Sequence, residues 1–366
     1  MKSFAKLSLF LVVCTVVIVG LSCNLTTPAP SNNGNISMQT PTATKNPTSI
    51  PIEKSPLSPT DSAKDTPLPE TVATTPPSPT NAPEQETPVN AEPTSMPAQS
   101  CTDTDEVCIV SGFFLAERPI GPDGRNILDP SSRFGVYQAA KKDVIRGVYF
   151  LNSTGTPVRA VADGTVLVAG DDSNASYGSY PNTYGNLVIL RHQLPGLDQT
   201  VFTLYAHLSQ VSVKVDENVQ AGQEIGLVGS SGNIFGSTLR FEVRVGENSY
   251  QLVRNPELWL PPLPDENGQL HGVLAGRILD SSGNFVEISN IVIERLAGPG
   301  LAALDQFYVQ TYARDDLKGL APFEESFALG DLPPGQYQVT FYLNGFYQKV
   351  IEIEPGKLTL VTFIVP

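Results

Sequence analysis

The sequence is poor in basic residues, in histidine and in uncommitted cysteine. Lysine and arginine number 23 against 37 aspartates and glutamates, a formal net charge of −14 over 366 residues. Nucleic acids are gripped through their phosphates by basic patches, so this balance argues against a nucleic-acid partner. It argues equally against an electrostatic hold on anionic lipid. Only three histidines, His192, His207 and His271, are present to act as ligands or acid–base groups. No stretch reads as a convincing amphipathic helix. The apolar run Leu7–Val19 is too short for a comfortable membrane span.

What is present falls into blocks. Residues 1–23 read as a targeting segment, with Lys2 and Lys6 ahead of the apolar run. Gly20-Leu21-Ser22-Cys23 resembles a bacterial lipobox, although the usual leucine three residues before the cysteine is Gly20 here. That resemblance implies lipidation at Cys23 and an exported chain, lipid-anchored on the outer face of the cytoplasmic membrane. Each buried methylene of such a lipid contributes about 0.8 kcal/mol. The alternative is an ordinary signal peptide with an incidental cysteine. With Cys14 inside the apolar run, Cys101 and Cys108 remain as an even pair and read as a disulfide. Closing so short a loop is worth about 2.5 kcal/mol in the chain-entropy model. A metal clip at these cysteines lacks neighbouring ligands.

Residues 24–100 are dense in Pro, Thr, Ser and Asn, carry about half of the 32 prolines and show no apolar periodicity. Such a composition implies a disordered tether. Its reach lies between roughly 50 Å as a coil and roughly 240 Å fully extended. Residues 101–265 form the first folded unit. It carries short strands such as Gly164–Ala169, Asn186–His192, Val201–His207 and Gly226–Gly229, separated by Gly, Asn, Asp and Ser turns. The fold class expected is all-β. Pro261–Pro264 marks a break, and residues 270–366 form a second β unit. There the turns are Leu332-Pro333-Pro334-Gly335, Asn344-Gly345 (suited to a type I′ hairpin) and Pro355-Gly356. This order of signals resembles the carboxypeptidase regulatory-like, transthyretin-like β-sandwich, an accessory domain without chemistry of its own.

Two stretches organise the first unit, Thr203–Ser209 (TLYAHLS) and Ser237–Val245 (STLRFEVRV). Both alternate with period two, as half-buried strands do. Alternation groups His207 with Thr203 and Tyr205, away from Leu204 and Ala206. It groups Thr238, Arg240, Glu242 and Arg244 opposite Leu239, Phe241, Val243 and Val245. With the apolar faces inward, His207, Thr238 and Arg240 line a common outer groove.

From about Arg133 to Leu260 the chain resembles the lysostaphin/LytM-type zinc endopeptidases, which cut peptidoglycan cross-links. The matching blocks, in family order, include Ala160-Val161-Ala162-Asp163-Gly164-Thr165-Val166 and Tyr184-Gly185-Asn186-Leu187-Val188-Ile189. They continue through Leu204-Tyr205-Ala206-His207-Leu208-Ser209, Gly229-Ser230-Ser231-Gly232 and Leu239-Arg240-Phe241-Glu242-Val243. The resemblance implies a zinc site with a His and an Asp from an early HxGxD-type block. A late HxH strand adds a catalytic His and the third ligand, and the His of the YAH block works beside the catalytic one.

At those positions this sequence carries Ile145, Tyr149, Thr238 and Arg240, and only His207 of the set remains. Isoleucine holds no metal, a neutral phenol is a poor zinc ligand, and arginine is a cation with donors only. The expectation is therefore a degenerate member without zinc. A rebuilt site around His192 and His207, with Asp171, Asp172 or Glu242 as third ligand, is the enzyme alternative. Arg240 and Arg146 suggest a groove that holds a carboxylate by bidentate hydrogen bonds, set against a plain Arg240–Glu242 surface pair. Tyr177, Tyr180 and Tyr184, in the insert 171–184, read either as a stacking wall or as loop packing.

By the same resemblance, degenerate members bind envelope partners and activate cell-wall hydrolases. The expected function is a non-catalytic peptidoglycan-binding or hydrolase-regulating module. The rivals are an active zinc metalloendopeptidase with non-standard ligands and a scaffold whose sandwich carries the binding.

Overall fold

The computed structural model describes residue 101 and residues 105–138, 143–298, 302–312, 317 and 319–366. The targeting segment, Cys23 and the tether lie outside the described residues. The described chain runs through β1 (Val107–Val110), β2 (Tyr137–Gln138), β3 (Asp143–Val144), β4 (Val148–Leu151), β5 (Pro157–Arg159) and β6 (Gly164–Asp171). It continues through β7 (Asn186–His192), β8 (Val201–Val211), β9 (Asn218–Val219), β10 (Glu224–Val228), β11 (Thr238–Val245) and β12 (Val253–Arg254). The later strands are β13 (Gly272–Asp280), β14 (Ile291–Leu296), β15 (Ala303–Val309), β16 (Phe327–Leu332), β17 (Gly335–Tyr342), β18 (Phe346–Ile353) and β19 (Leu358–Val365). Among the described residues, helix is limited to three 3-10 turns. The fold is all-β.

The first large sheet has the order β12-β11-β8-β7-β6-β9, with β4 beside β11, β10 beside β8 and β5 beside β10. Its central strands are covered on both faces, and every residue of β11 is buried. Two four-stranded sheets follow, β1-β19-β13-β16 and β15-β14-β17-β18. Ile278 of β13, Ile293 of β14, Val339 of β17 and Val361 of β19 meet in one core between them. Alternation is the cause: the inward residues of β17 are Tyr337, Val339 and Phe341, each followed by a more exposed neighbour.

Two expectations are corrected here. The division between residues 101–265 and 270–366 is crossed, because β1 of the first pairs antiparallel with β19 of the second, Val107 opposite Val361 and Val110 opposite Leu358. The Cys101–Cys108 disulfide forms, with the Cα atoms 5.8 Å apart, and it closes a loop that opens into this later sheet. Val110, Leu258, Trp259, Val273 and Leu360 join Val158, Tyr205 and Phe241 in a single core, so the described residues form one compact unit. Second, Asn344-Gly345 does not make a two-residue type I′ turn. Tyr342 pairs with Phe346, leaving a three-residue loop in which Asn344 takes φ +54.

Polar ties cross between the large sheet and the later strands. Arg118 holds both carboxylate oxygens of Asp331 at 3.1 Å and the Pro261 carbonyl at 2.8 Å. Leu263 N–H donates to Asp331 at 3.0 Å, so the proline-rich break is fastened to the later sheet. Arg133 forms an ion pair with buried Glu257, which also accepts from Gly330 N–H at 2.8 Å. Glu325 is buried beside them, accepting from Tyr312 Oη at 2.5 Å and from Leu320 N–H at 2.7 Å.

Burial pushes the Glu325 carboxyl up to about 7, against the opposing pull of Tyr312, backbone donors and Arg254. Its folded pKa lies above the unfolded value of 4.5, so the folded state holds the extra proton between the two values. Stability is therefore expected to fall by roughly 3 kcal/mol as pH rises through that window. Glu325→Gln removes the titration and should flatten the decline, read from urea midpoints at about pH 5 and about pH 8.

Candidate functional site

β8 and β11 lie side by side with Arg240 opposite Ala206, Glu242 opposite Leu204 and Arg244 opposite Phe202. Residues directly opposite share a face, so the three charged side chains of β11 stand on the Leu204–Ala206 side. The other face of both strands, with Tyr205 and Phe241, enters the main core.

His207 breaks the alternation. The pairing of β7 with β8 passes from Val188–Tyr205 to Asn186–Leu208, so Leu187 alone faces both Ala206 and His207. His207 takes φ +66 in this bulge. The extra residue reverses the parity. Leu208 returns to the main core with Tyr205, and the His207 ring lies parallel to Tyr149, centroids 6.2 Å apart and planes 10° apart. Tyr149 arrives from β4, opposite Arg240. The expected grouping of His207 with Thr203 and Tyr205 is thus overturned by one inserted residue.

Two glycines make room for the bulge. A Cβ on Gly185 would fall 2.3 Å from Gly232 N, and one on Gly232 would fall 2.4 Å from Gly185 N. Their contact brings Ser231 to the bulge, where its carbonyl lies 2.9 Å from His207 Nδ1. A carbonyl only accepts, so Nδ1 carries a proton. Ser231 Oγ donates to Leu208 O at 2.8 Å and accepts from Asn186 N–H at 2.9 Å, fixing the loop.

Beside the imidazole sits a buried polar cluster. Arg240 Nε donates to Glu242 Oε1 at 2.8 Å, one terminal nitrogen to Tyr149 Oη at 3.0 Å and the other to the Arg146 carbonyl at 3.1 Å. Its guanidinium carbon stands 4.9 Å from the centre of the Tyr184 ring. Glu242 also accepts from Tyr184 Oη at 2.6 Å and from Arg244 at 2.7 and 3.1 Å. Arg244 reaches on to the Tyr177 carbonyl at 2.8 Å and Asn248 at 2.9 Å.

Burial alone would raise the Glu242 carboxyl, but the Arg244 and Arg240 charges and the Tyr184 hydrogen bond hold it below the usual range. Burial works against the Arg240 charge too, yet the phenols Tyr149 and Tyr184 and the Glu242 carboxylate keep its pKa well above the ordinary value. Burial, with Glu242 adding to it, pushes the Tyr184 phenol well up, so it stays neutral and donates.

The expected open groove is therefore closed at these positions. Ile145, Arg146, Tyr149, Thr238 and Arg240 are all buried, Arg240 at 7% exposure. The Arg240–Glu242 pair forms in the interior and not on the surface, and it engages the guanidinium expected to hold a ligand carboxylate. Arg146 lies with its guanidinium carbon 4.9 Å over the Tyr250 ring. Tyr184 is fully buried as part of the cluster, whereas Tyr180 is 72% exposed. Thr238 Oγ1 donates to the Phe150 carbonyl at 3.1 Å.

His192 does not join His207. Its position opposite Val201 puts it on the core-facing side with Thr203. There Nδ1 lies 2.8 Å from the Asp163 carbonyl and Nε2 lies 2.7 Å from Thr203 Oγ1. Burial lowers its pKa, keeping it neutral. Asp172 accepts from the backbone N–H groups of Tyr184 at 2.8 Å and Gly185 at 2.9 Å. Asp171 accepts from Ser173 N–H at 2.8 Å. The rebuilt site is thus taken apart by the fold. Among the described residues, no group of three or more His, Cys, Asp or Glu side chains is placed to hold a metal ion. A catalytic zinc needs three converging lone-pair donors. A hydrocarbon, a phenol accepting from arginine and the arginine itself do not fit one.

Sequence reasoning gave no role to Arg244, the second cation on Glu242, or to the Ser231 carbonyl. Alternation did place Arg244 on the Arg240 face, which was the available signal. Nothing in local sequence marks which carbonyl an imidazole will meet.

Residues 143–252 match the model of Peptidase family M23. The chain carries an M23 domain. Over 99 residues the chain is 39% identical to the DD-carboxypeptidase/endopeptidase Mpg of Neisseria meningitidis serogroup B, covering 27% of this chain and 20% of that protein. It is 34% identical over 128 residues to the murein hydrolase activator NlpD of Salmonella typhimurium, covering 35% and 28%. The catalytic domain of the antimicrobial peptidase lysostaphin from Staphylococcus simulans is 30% identical, covering 34% of this chain and 85% of that one, at a TM-score of 0.29. The chain thus spans about a fifth of the length of the first curated relatives it matches.

Within the M23 domain, Glu242 is the carboxylate between two buried guanidinium groups. Glu242→Gln should destabilise the protein by roughly 3–5 kcal/mol near neutral pH, since it strands two buried cations. In the wild type this contribution is present above the unfolded carboxyl value of 4.5 and is lost only as pH falls through the lower folded one. Urea unfolding of both proteins across pH reads both effects.

Proposed function

We propose that this protein is an exported envelope lipoprotein whose M23 domain has lost its zinc ligands. It acts without catalysis, binding peptidoglycan or regulating a peptidoglycan hydrolase. The observation that carries this reading is Arg240. Its guanidinium lies at the position where the resembled family has its last zinc ligand, bonded to Glu242, Tyr149 and the Arg146 carbonyl. A fixed positive charge there repels a metal ion. Both kinds of relative bear on the role, since one is named a murein hydrolase activator and another a DD-carboxypeptidase/endopeptidase. The missing donor set favours the activator over the enzyme.

The arrangement leaves His207 a different task from catalysis. Its ring is stacked on Tyr149 and fixed through Nδ1, so it helps hold β4, β8 and the Ser231 loop together. The envelope address rests on the lipobox-like Gly20–Cys23, and the proline-rich segment after it would serve as the tether.

The full-length protein, purified in the presence of zinc, should contain almost none by elemental analysis. It should not cleave peptidoglycan cross-links, and it should pellet with peptidoglycan or stimulate a peptidoglycan hydrolase. Near-stoichiometric zinc lost on His207→Ala, together with cross-link cleavage, would establish the enzyme instead. Cys23→Ser should release the protein from the membrane fraction if the anchor is lipid.

A further inference from the structure

The β15-β14-β17-β18 sheet turns one face to its core and, among the described residues, leaves the other uncovered. Tyr308, Tyr342 and Phe346 stand on that outer face at 61%, 64% and 82% exposure. Register fixes their layout. Tyr308 on edge strand β15 is in line with Val292, Thr340 and Gln348 across the sheet. Tyr342 and Phe346 sit two residues further along β17 and β18, with their rings 5.3 Å apart, edge to face. Three strand spacings, about 14 Å, separate the two edges. Exposed rings in such number on one sheet face mark an interaction surface.

The groups between the rings identify the occupant. Gln306, Gln338 and Gln348 supply amides and Thr340 a hydroxyl, each able to donate and accept. Tyr308 Oη donates to Gln306 at 2.8 Å, and Gln306 donates to Glu294 at 3.0 Å, fixing one ring in place. The outward positions of these strands carry Glu294 and Glu352 but no cation. Lys349 turns inward to the Thr362 carbonyl at 2.7 Å. A face without cations, in a chain of net charge −14, does not attract anionic lipid or phosphate. Its middle is Val292, Thr340 and Gln338, with Val350 opposite Gln338 at 55% exposure, and it has no arginine of the kind that anchors a protein partner. Separated flat rings with two-way hydrogen-bonding groups between them match a sugar chain, whose C–H faces stack and whose hydroxyls both donate and accept.

We propose that this outer face binds the glycan strands of peptidoglycan. The choice of peptidoglycan as the source rests on the envelope role proposed above. The face is separate from the closed M23 site and would hold the chain on the wall while the M23 domain acts.

The test uses full-length protein and peptide-free glycan strands, prepared by stripping the stem peptides. Wild type should bind them, and Tyr308→Ala/Tyr342→Ala/Phe346→Ala should bind at least about tenfold more weakly, with an unchanged unfolding midpoint, as its targets are exposed. Phe346→Ala alone, at a hairpin end, is the second variant and should lose affinity several-fold even if the triple variant folds poorly. No binding by wild type, or equal binding by all three proteins, would overturn the proposal. So would a concentration-dependent dimer in sedimentation that the triple substitution abolishes, since it would give the face to a second copy. Hydrolase stimulation and zinc content are measured in parallel. Stimulation without glycan binding sinks the platform alone, and glycan binding by a zinc-loaded, cross-link-cleaving protein sinks the non-catalytic reading alone.

Discussion

One carboxylate in the interior balances two guanidinium groups. Glu242 is fully buried between Arg240 and Arg244, with the Tyr184 phenol on its remaining lone pairs. Charges this deep are tolerated only when paired and hydrogen-bonded. That requirement dictates the surroundings. The insert 171–184 must fold back so that the Tyr177 carbonyl reaches Arg244 and Tyr184 reaches Glu242. β4 must present the Tyr149 hydroxyl to Arg240. A site that could have faced solvent is thereby packed shut.

The same cluster makes sense of the bulge. A backbone with positive φ at a histidine is held only where neighbours over-determine it. Here the Ser231 carbonyl and the Tyr149 ring do so from opposite elements. The M23 domain thus carries a buried ion cluster beside His207. The later sheets are fused to it through β1, the Arg118–Asp331 pair and a common core. Movement of these later sheets alone would break all three.

Much of the architecture was legible in the chain. An apolar run between turn residues located β7 to the residue, and period-two alternation located β11 to within one, because its two faces differ in chemistry. That Ile145 and Arg240 cannot give a metal a lone pair was legible too, since this follows from the side chain wherever it is placed. Three things were not. β8 runs on to Val211 past His207, because a bulge changes parity without any residue type to announce it. The closing of the groove depended on the packing of a remote loop. The membership of β1 in the last sheet required a partner about 250 residues away.

Sequence by itself determined the β character of the chain and the inability of Ile145 and Arg240 to serve a metal, since these follow from side-chain composition and local period. Tertiary structure alone decided that Arg240 faces a buried carboxylate and not a ligand, that His192 and His207 lie on opposite sides of one sheet, and that the two folded halves share a core. Each of these is a relation between residues distant along the chain, fixed by which surfaces can be removed from water together.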